Sequence, residues 1–211
     1  MSEFGYIPEA PEQSFGNNKG IFTPTDIYDL TRADKYTNYG QLELIETVVA
    51  DDTVTFYDFD NLGDYNVHFF TANNIQGAST TAQNLDIRVK IGGSVDAGAN
   101  YQFAQQLGNS AGTFSESRST GFNQFIWLPN VDNETNATAN GYAYIHNATD
   151  STKFTFGTFQ TVIKQDIHTP RISFGANMYE AYSECSGLRV FLATTGNIAG
   201  GTISLYGIKA Y

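Results

Sequence analysis

From Gln41 onward, apolar and polar residues alternate with a period of two, the pattern of strands that turn one face to a core and the other to water. The clearest case is NLDIRVKI, residues 84–91. Leu85, Ile87, Val89 and Ile91 fall on one face, and Asn84, Asp86, Arg88 and Lys90 on the other. QLELIETVV, starting at Gln41, alternates in part and predicts a side carrying Leu42, Leu44 and Val48. TVTFYDFD and YNVHFF follow, broken by the turn signal NLGD. Further strands are predicted at FNQFIWL, GYAYIHN, KFTFGTFQTVI, RISF, SGLRVFLATT and TISLYGIKAY. About ten short strands between clusters of Gly, Asn, Asp and Ser predict an all-β sandwich or barrel rather than alternating β and α units.

The last two of these runs are separated only by GNIAGG and are predicted to form a hairpin. Gly196, Asn197, Gly200 and Gly201 would supply the positive φ values that such a connection uses. Leu188, Val190 and Leu192 are expected in the core. The final strand is expected to complete a sheet, so its loss would expose an edge and cause aggregation.

Residues 1–40 read differently. They hold Pro8, Pro11 and Pro24, three of the chain's five prolines. Phe4, Tyr6, Ile7, Phe15, Ile21 and Phe22 are scattered through them without a period. A disordered polar tail would not carry so many apolar anchors, so an arm that lies against something is expected. Within it, FTPTDIYDLTRADKY predicts a helix of one or two turns. Thr23 caps it, Pro24 suits the first position, and Asp26 stands three residues after the cap. Ile27, Leu30 and Tyr28 give it a narrow apolar face. The expected organisation is an anchoring arm over 1–40 and one sandwich domain over 41–211, with Phe15, Ile21, Phe22, Ile27, Tyr28 and Leu30 as the assembly contacts.

Composition agrees with the pattern. Only 16% of residues are charged, against about 25% in an ordinary soluble domain. The chain has 13 Tyr, 16 Phe and 20 Gly, residues of strands and turns rather than of long helices. Its net charge of −11 repels phosphate backbones and anionic lipid, so neither nucleic acid nor membrane insertion is expected. Cys185 is the sole cysteine, so no intrachain disulfide forms, and a buried structural thiol is expected. MSEFGYIPEAPEQSFG is neither basic nor continuously apolar, and no apolar run reaches a membrane span, so a soluble protein of the cytoplasm is expected. The glycosylation-type triplets at Asn133, Asn136 and Asn147 are attributed to the abundance of Asn and Thr.

SGLRVFLATTGNIAGGTISLYGIKAY resembles the C-terminal hairpin of a widespread group of tailed-bacteriophage virion proteins. NYQFAQQLGNSAG, NGYAYIHNATDSTKFTFGTF and the opening KGIFTPTDIYDLTRADKYT resemble the same group. The resemblance implies a jelly-roll-like β-sandwich serving as a tail fibre or appendage, a collar, or a head decoration. It implies homo-oligomers, often trimers, with capsid, neck or tail proteins as further partners, and a place in the virion after assembly in the host cytoplasm. The group carries no shared catalytic motif.

The chemistry of the residues points the same way. No P-loop, G-x-G-x-x-G, H-E-x-x-H or cysteine pair is present. His68, His146 and His168 are separate in sequence and are expected to be structural or exposed. Asp58, Asp60 and Asp64 in DFDNLGD are oxygen ligands of the kind calcium uses, but the spacing is not that of an EF-hand, and a plain acidic turn is expected. Paired carboxylates for glycoside hydrolysis have no distinguishing signal among 22 acidic residues. No enzyme activity, cofactor or metal is therefore expected. One binding chemistry competes with the structural reading. Trp127, Tyr142 and Tyr144 could form an aromatic platform for a host-surface glycan. Against this, Trp127 could instead fill the core beside Phe125 and Leu128.

Overall fold

The alternating runs fold as strands. A computed structural model of the chain describes residues 13–14, 17–18, 23–33, 42–134, 136, 138–166, 169–194 and 196–208. Contacts divide the chain into two units, Met1–Tyr39 and Gly40–Tyr211.

In the first unit, β1 (Gln13–Ser14) pairs antiparallel with β2 (Asn17–Asn18). The helix α1 spans Pro24–Arg32. Its start is the capping box that the sequence predicts. The Asp26 amide donates to Thr23 Oγ1 (3.2 Å), and the Thr23 amide donates back to Asp26 Oδ2 (2.8 Å). Arg32 in the last turn complements the helix dipole.

The second unit contains β3 (Leu42–Val49), β4 (Phe56–Phe59), β5 (Val67–Gly77), β6 (Gln83–Ile91), β7 (Ser94–Val95), β8 (Tyr101–Asn109), β9 (Phe114–Phe122), β10 (Phe125–Val131), β11 (Ala139–His146), β12 (Thr155–Asp166), β13 (Thr169–Tyr179), β14 (Gly187–Leu192) and β15 (Ile198–Ile208). Every pairing is antiparallel, in two sheets. One follows the order β10-β6-β14-β4, with β7 against β6. The other runs β3-β15-β5-β11-β12-β13-β8-β9. Setting aside β7, β8, β9, β12 and β13, the remaining strands numbered in chain order read 1-8-3-6 in the large sheet and 5-4-7-2 in the small one. That is the jelly roll, two Greek keys folded face to face. The other strands are elaborations: β12-β13-β8-β9 widen the large sheet beyond β11.

The core lies between the sheets. Leu85, Ile87 and Val89 of β6 and Leu188, Val190 and Leu192 of β14 are buried in it, as the alternation predicts. Aromatic rings fill its centre. Phe59 and Phe70 meet edge to face at 5.1 Å, Phe70 and Trp127 lie 5.7 Å apart, and Tyr101 packs on Phe125 at 5.4 Å. The buried Tyr101 hydroxyl is satisfied at both ends. It donates to the Asp96 carbonyl (2.8 Å) and accepts from the Val89 amide (3.1 Å).

Three expectations are corrected. The predicted terminal hairpin does not exist: β14 pairs with β4 and β6 in the small sheet, whereas β15 pairs with β3 and β5 in the large one. The chain passes from the small sheet to the large one between β14 and β15, the last four residues of GNIAGG already belong to β15, and β15 is an interior strand rather than an edge. Leu42 and Leu44 are exposed, because a bulge in the β3–β15 register shifts the inward positions of β3 to Ile45 and Val48. The expected water-facing side of β6 is wet only in part, since Asn84 and Arg88 are half-buried and Asp86 and Lys90 are buried.

Of the four residues expected to need positive φ, Gly196 (+104°) and Gly201 (+103°) do. Gly201 sits inside β15 where its pairing with β5 slips. A Cβ there would meet the Asn74 carbonyl oxygen at 2.6 Å and that of Asn73 at 2.8 Å. Gly201→Ala is therefore expected to destabilise the domain by about 2 kcal/mol, through a left-handed φ combined with a backbone clash. A urea midpoint unchanged from wild type would refute this.

Candidate functional site

The outer face of the eight-stranded sheet is the most distinctive surface of the second unit. Cross-strand register sets its side chains in straight rows. In one row Ser204, Thr71, Tyr142, Gln160, Phe174, Gln106 and Glu116 are successive partners from β15 to β9. In the next, Leu44, Tyr206, Phe69, Tyr144, Thr158, Ala176, Ala104 and Arg118 follow one another. Rings cluster on β15, β5 and β11: Phe69 lies 4.6 Å from Tyr144, 6.0 Å from Tyr142 and 6.1 Å from Tyr206, between ring centres. Toward β12 and β13 the face becomes openly apolar, with Phe156, Val162, Ile172 and Phe174 exposed. Two shallow hollows, about 490 and 400 Å³, flank this region and share Ala104 and Arg118 in their walls.

Tyr142 and Tyr144 thus stand on one accessible face, and the Tyr142 hydroxyl donates to Gln160 Oε1 (2.7 Å). Trp127 does not join them. It is 1% exposed, in the core against Phe70. The candidate glycan platform is corrected on this point, because a buried indole offers no face to a sugar. Sequence reasoning missed Phe156, Gln160, Phe174 and Gln106. In KFTFGTFQTVI both alternating sets contain apolar residues, so parity does not say which set faces out.

The small sheet carries an ion network that the sequence hid. Arg189 grips Asp58 with two bonds, from Nε to Oδ1 (2.6 Å) and from Nη2 to Oδ2 (2.7 Å). Lys90 Nζ bridges Asp58 (3.1 Å) and Asp60 (2.5 Å). Arg189 also lies 3.6 Å from the centre of the Phe56 ring, and Arg88 4.4 Å from that of Phe191. The Arg189 guanidinium, helped by Lys90, holds the Asp58 carboxyl below the usual carboxylate range. Two of the three carboxylates considered for calcium therefore already face a protein cation. Asp64 is exposed, and the described residues contain no group of three or more metal-binding side chains.

His68 is buried in β5, with Nε2 donating to the Leu62 carbonyl (2.9 Å), and burial pulls its pKa down. His146 is on β11, stacked 6.3 Å from Tyr144. Ile145, not His146, is the register partner of His68, so the two rings emerge on opposite faces of the sheet. His168 lies outside the described residues. Cys185 is buried, 3.7 Å from Thr155 Oγ1, and burial pushes its thiol up to about 11. A thiol that stays protonated at neutral pH is a poor nucleophile.

Of the arm contacts, Phe15, Ile21 and Phe22 lie outside the described residues. Ile27, Tyr28 and Leu30 are on α1, which buries none of its residues, and Tyr28 is 63% exposed. No helix of the described residues is long and apolar enough to cross a membrane. No protein-family model, curated protein or solved structure matches the chain.

Proposed function

We propose that this protein is a non-enzymatic structural subunit of a tailed-bacteriophage virion. It serves as a surface appendage (tail fibre, collar or head decoration), self-associated and held to the particle by residues 1–40. The observation that carries the reading is the jelly-roll strand order, the architecture that the sequence resemblance implies and one that capsid domains use. The arm's exposed Ile27 and Tyr28 are apolar surface of the kind that a neighbouring subunit covers. Antibody–gold labelling of purified particles tests the reading. Label on the head indicates decoration, and label on the neck or tail indicates a collar or fibre. Unlabelled particles, with an antibody that detects the protein in infected cells, overturn it. Removing residues 1–40 is expected to leave a folded domain that no longer joins the particle. An unfolded remainder would make the arm part of the core instead.

A second reading, attachment to host glycans, draws support from Tyr142 and Tyr144 on an accessible face beside the Gln160 amide. On that reading a glycan array gives a hit that Tyr142→Ala abolishes.

A further inference from the structure

We infer that the outer face of the eight-stranded sheet, centred on β12 and β13, is where a second copy of this chain docks, face to face about a two-fold axis. The inference rests on the self-association in the reading above and not on a place in the virion.

Three observations carry it. The first is apolarity. Phe156, Val162, Ile172 and Phe174 project from adjacent strands, each between 42% and 48% exposed. Their parity is unambiguous, since Phe159, Ile163 and Ser173 alternate with them and are buried. Val162 and Ile172 are register partners and Phe174 follows on the same face, whereas Phe156 stands beyond Thr158 and Gln160; exposed apolar groups gathered in this way are uncommon on a surface that stays wet.

The second is charge. The chain carries −11, so two copies repel each other over most of their surfaces. Among the described residues, the acidic and basic side chains that the register places on this face include Glu116, Arg118, Lys164 and, at the end of β11, His146. Glu116 and Arg118 offset each other, and Lys164 is ion-paired with Glu134. An acidic chain that self-associates does so most readily through a face with no net charge.

The third is size. Eight strands at about 4.8 Å spacing span about 34 Å, and about seven residues of strand add about 23 Å in the other direction. The resulting area, on the order of 800 Å², is what one partner contributes to a standard stable interface. Under two-fold symmetry the same patch meets itself, so apolar rows face apolar rows, and stacked sheets interdigitate their side chains in this way. The outcome is a pair, not the trimer that the resemblance suggests.

Sedimentation equilibrium on the full chain at about 100 µM tests this. Wild type is expected at twice the 23.2 kDa chain mass. The double variant Ile172→Asp/Phe174→Asp is expected at the monomer mass with unchanged far-UV circular dichroism. Val162→Lys on the neighbouring strand repeats the measurement in case the double variant fails to fold. Phe56→Ser, on β4 of the small sheet, is expected to leave the pair intact. Raising the salt from about 0.05 M to about 0.5 M should tighten the pair, because it screens the mutual repulsion of two acidic chains.

A monomeric wild type overturns the inference. So does a pair that survives the folded face variants, or one that Phe56→Ser separates. A monomer that binds glycans through Tyr142 overturns it in favour of the attachment reading. Monomers in solution with gold-labelled particles would sink this inference and leave the virion reading standing. Stable pairs with unlabelled particles would do the reverse.

Discussion

Trp127→Ala is expected to cost the sandwich about 4 kcal/mol, the loss typical of emptying a large aromatic site in a packed core. The side chain is 1% exposed and packs against Phe70, which in turn meets Phe59 edge to face. Its removal leaves a cavity between the two sheets that neighbouring strands cannot close without breaking their ladders. Trp127→Phe is expected to cost much less, under about 2 kcal/mol. The indole Nε1 is buried without a hydrogen-bond partner, so the smaller ring sheds a desolvated donor as well as volume. Urea unfolding followed by circular dichroism measures both, since the variants lose the chain's only tryptophan. In the wild type that tryptophan should emit as a buried indole and shift to the red on unfolding. An alanine variant as stable as wild type would contradict the core placement and return Trp127 to the glycan platform.

That placement shows what the sequence could and could not reveal. β6 was legible because its inward set, Leu85, Ile87 and Val89, is uniformly apolar, and the intervening residues are polar. In β10, Phe125, Ile126, Trp127 and Leu128 are all buried, so no alternation tells which side chains face where. β9, FSESRSTGF, was missed for the opposite reason. Its inward positions are Ser115, Ser117 and Ser119, as an edge strand pairing only with β8 can tolerate. The crossover between β14 and β15 has the same Gly and Asn content as a hairpin loop. What separates the two strands is pairing with β4 and β6 on one side and β3 and β5 on the other, between segments far apart in the chain. Local turn chemistry permits both connections, and only the non-local ladders choose. The outer face of the large sheet was hidden in the same way, because its rows are assembled from eight strands scattered through the sequence. The start of α1 was legible, since a capping box is satisfied within four positions, but the helix runs nine residues, longer than the one or two turns expected.

Asp86 is the clearest case of a residue whose role inverts its sequence reading, and it sets the pH dependence of the fold. Alternation marks it as a solvent-facing carboxylate, yet it is fully buried on β6. Its Oδ1 accepts from the Trp127 amide (2.9 Å) and its Oδ2 from Gln124 Nε2 (2.6 Å). The Gln124 oxygen is held in turn by Arg88 Nη2 (3.0 Å). Burial pushes the carboxyl up to about 7 from an ordinary 3.8, against the pull of these donors and of Arg88. The folded state therefore binds this proton more tightly than the unfolded chain does. The stability that Asp86 contributes is full below the unfolded pKa and is lost as pH rises through the folded one. The whole shift corresponds to about 4 kcal/mol, of which about 2 kcal/mol falls between about pH 5.5 and pH 8. His68 works against it. Its lowered folded pKa removes stability as pH falls through the ordinary histidine range. Asp58 acts further down, where protonation breaks its hold on Arg189 and Lys90. The difference between wild type and Asp86→Asn isolates the residue, because both proteins carry the other groups. The variant is expected to be less stable at pH 5.5, since its amide turns an N–H toward either the Trp127 amide or Gln124 Nε2. Its deficit is expected to shrink by about 2 kcal/mol at pH 8, where wild type bears the cost of a buried charge. A deficit that is constant or grows from pH 5.5 to pH 8 would mean that Asp86 is ionised in the fold throughout. The donors of Trp127, Gln124 and Arg88 would then outweigh its burial.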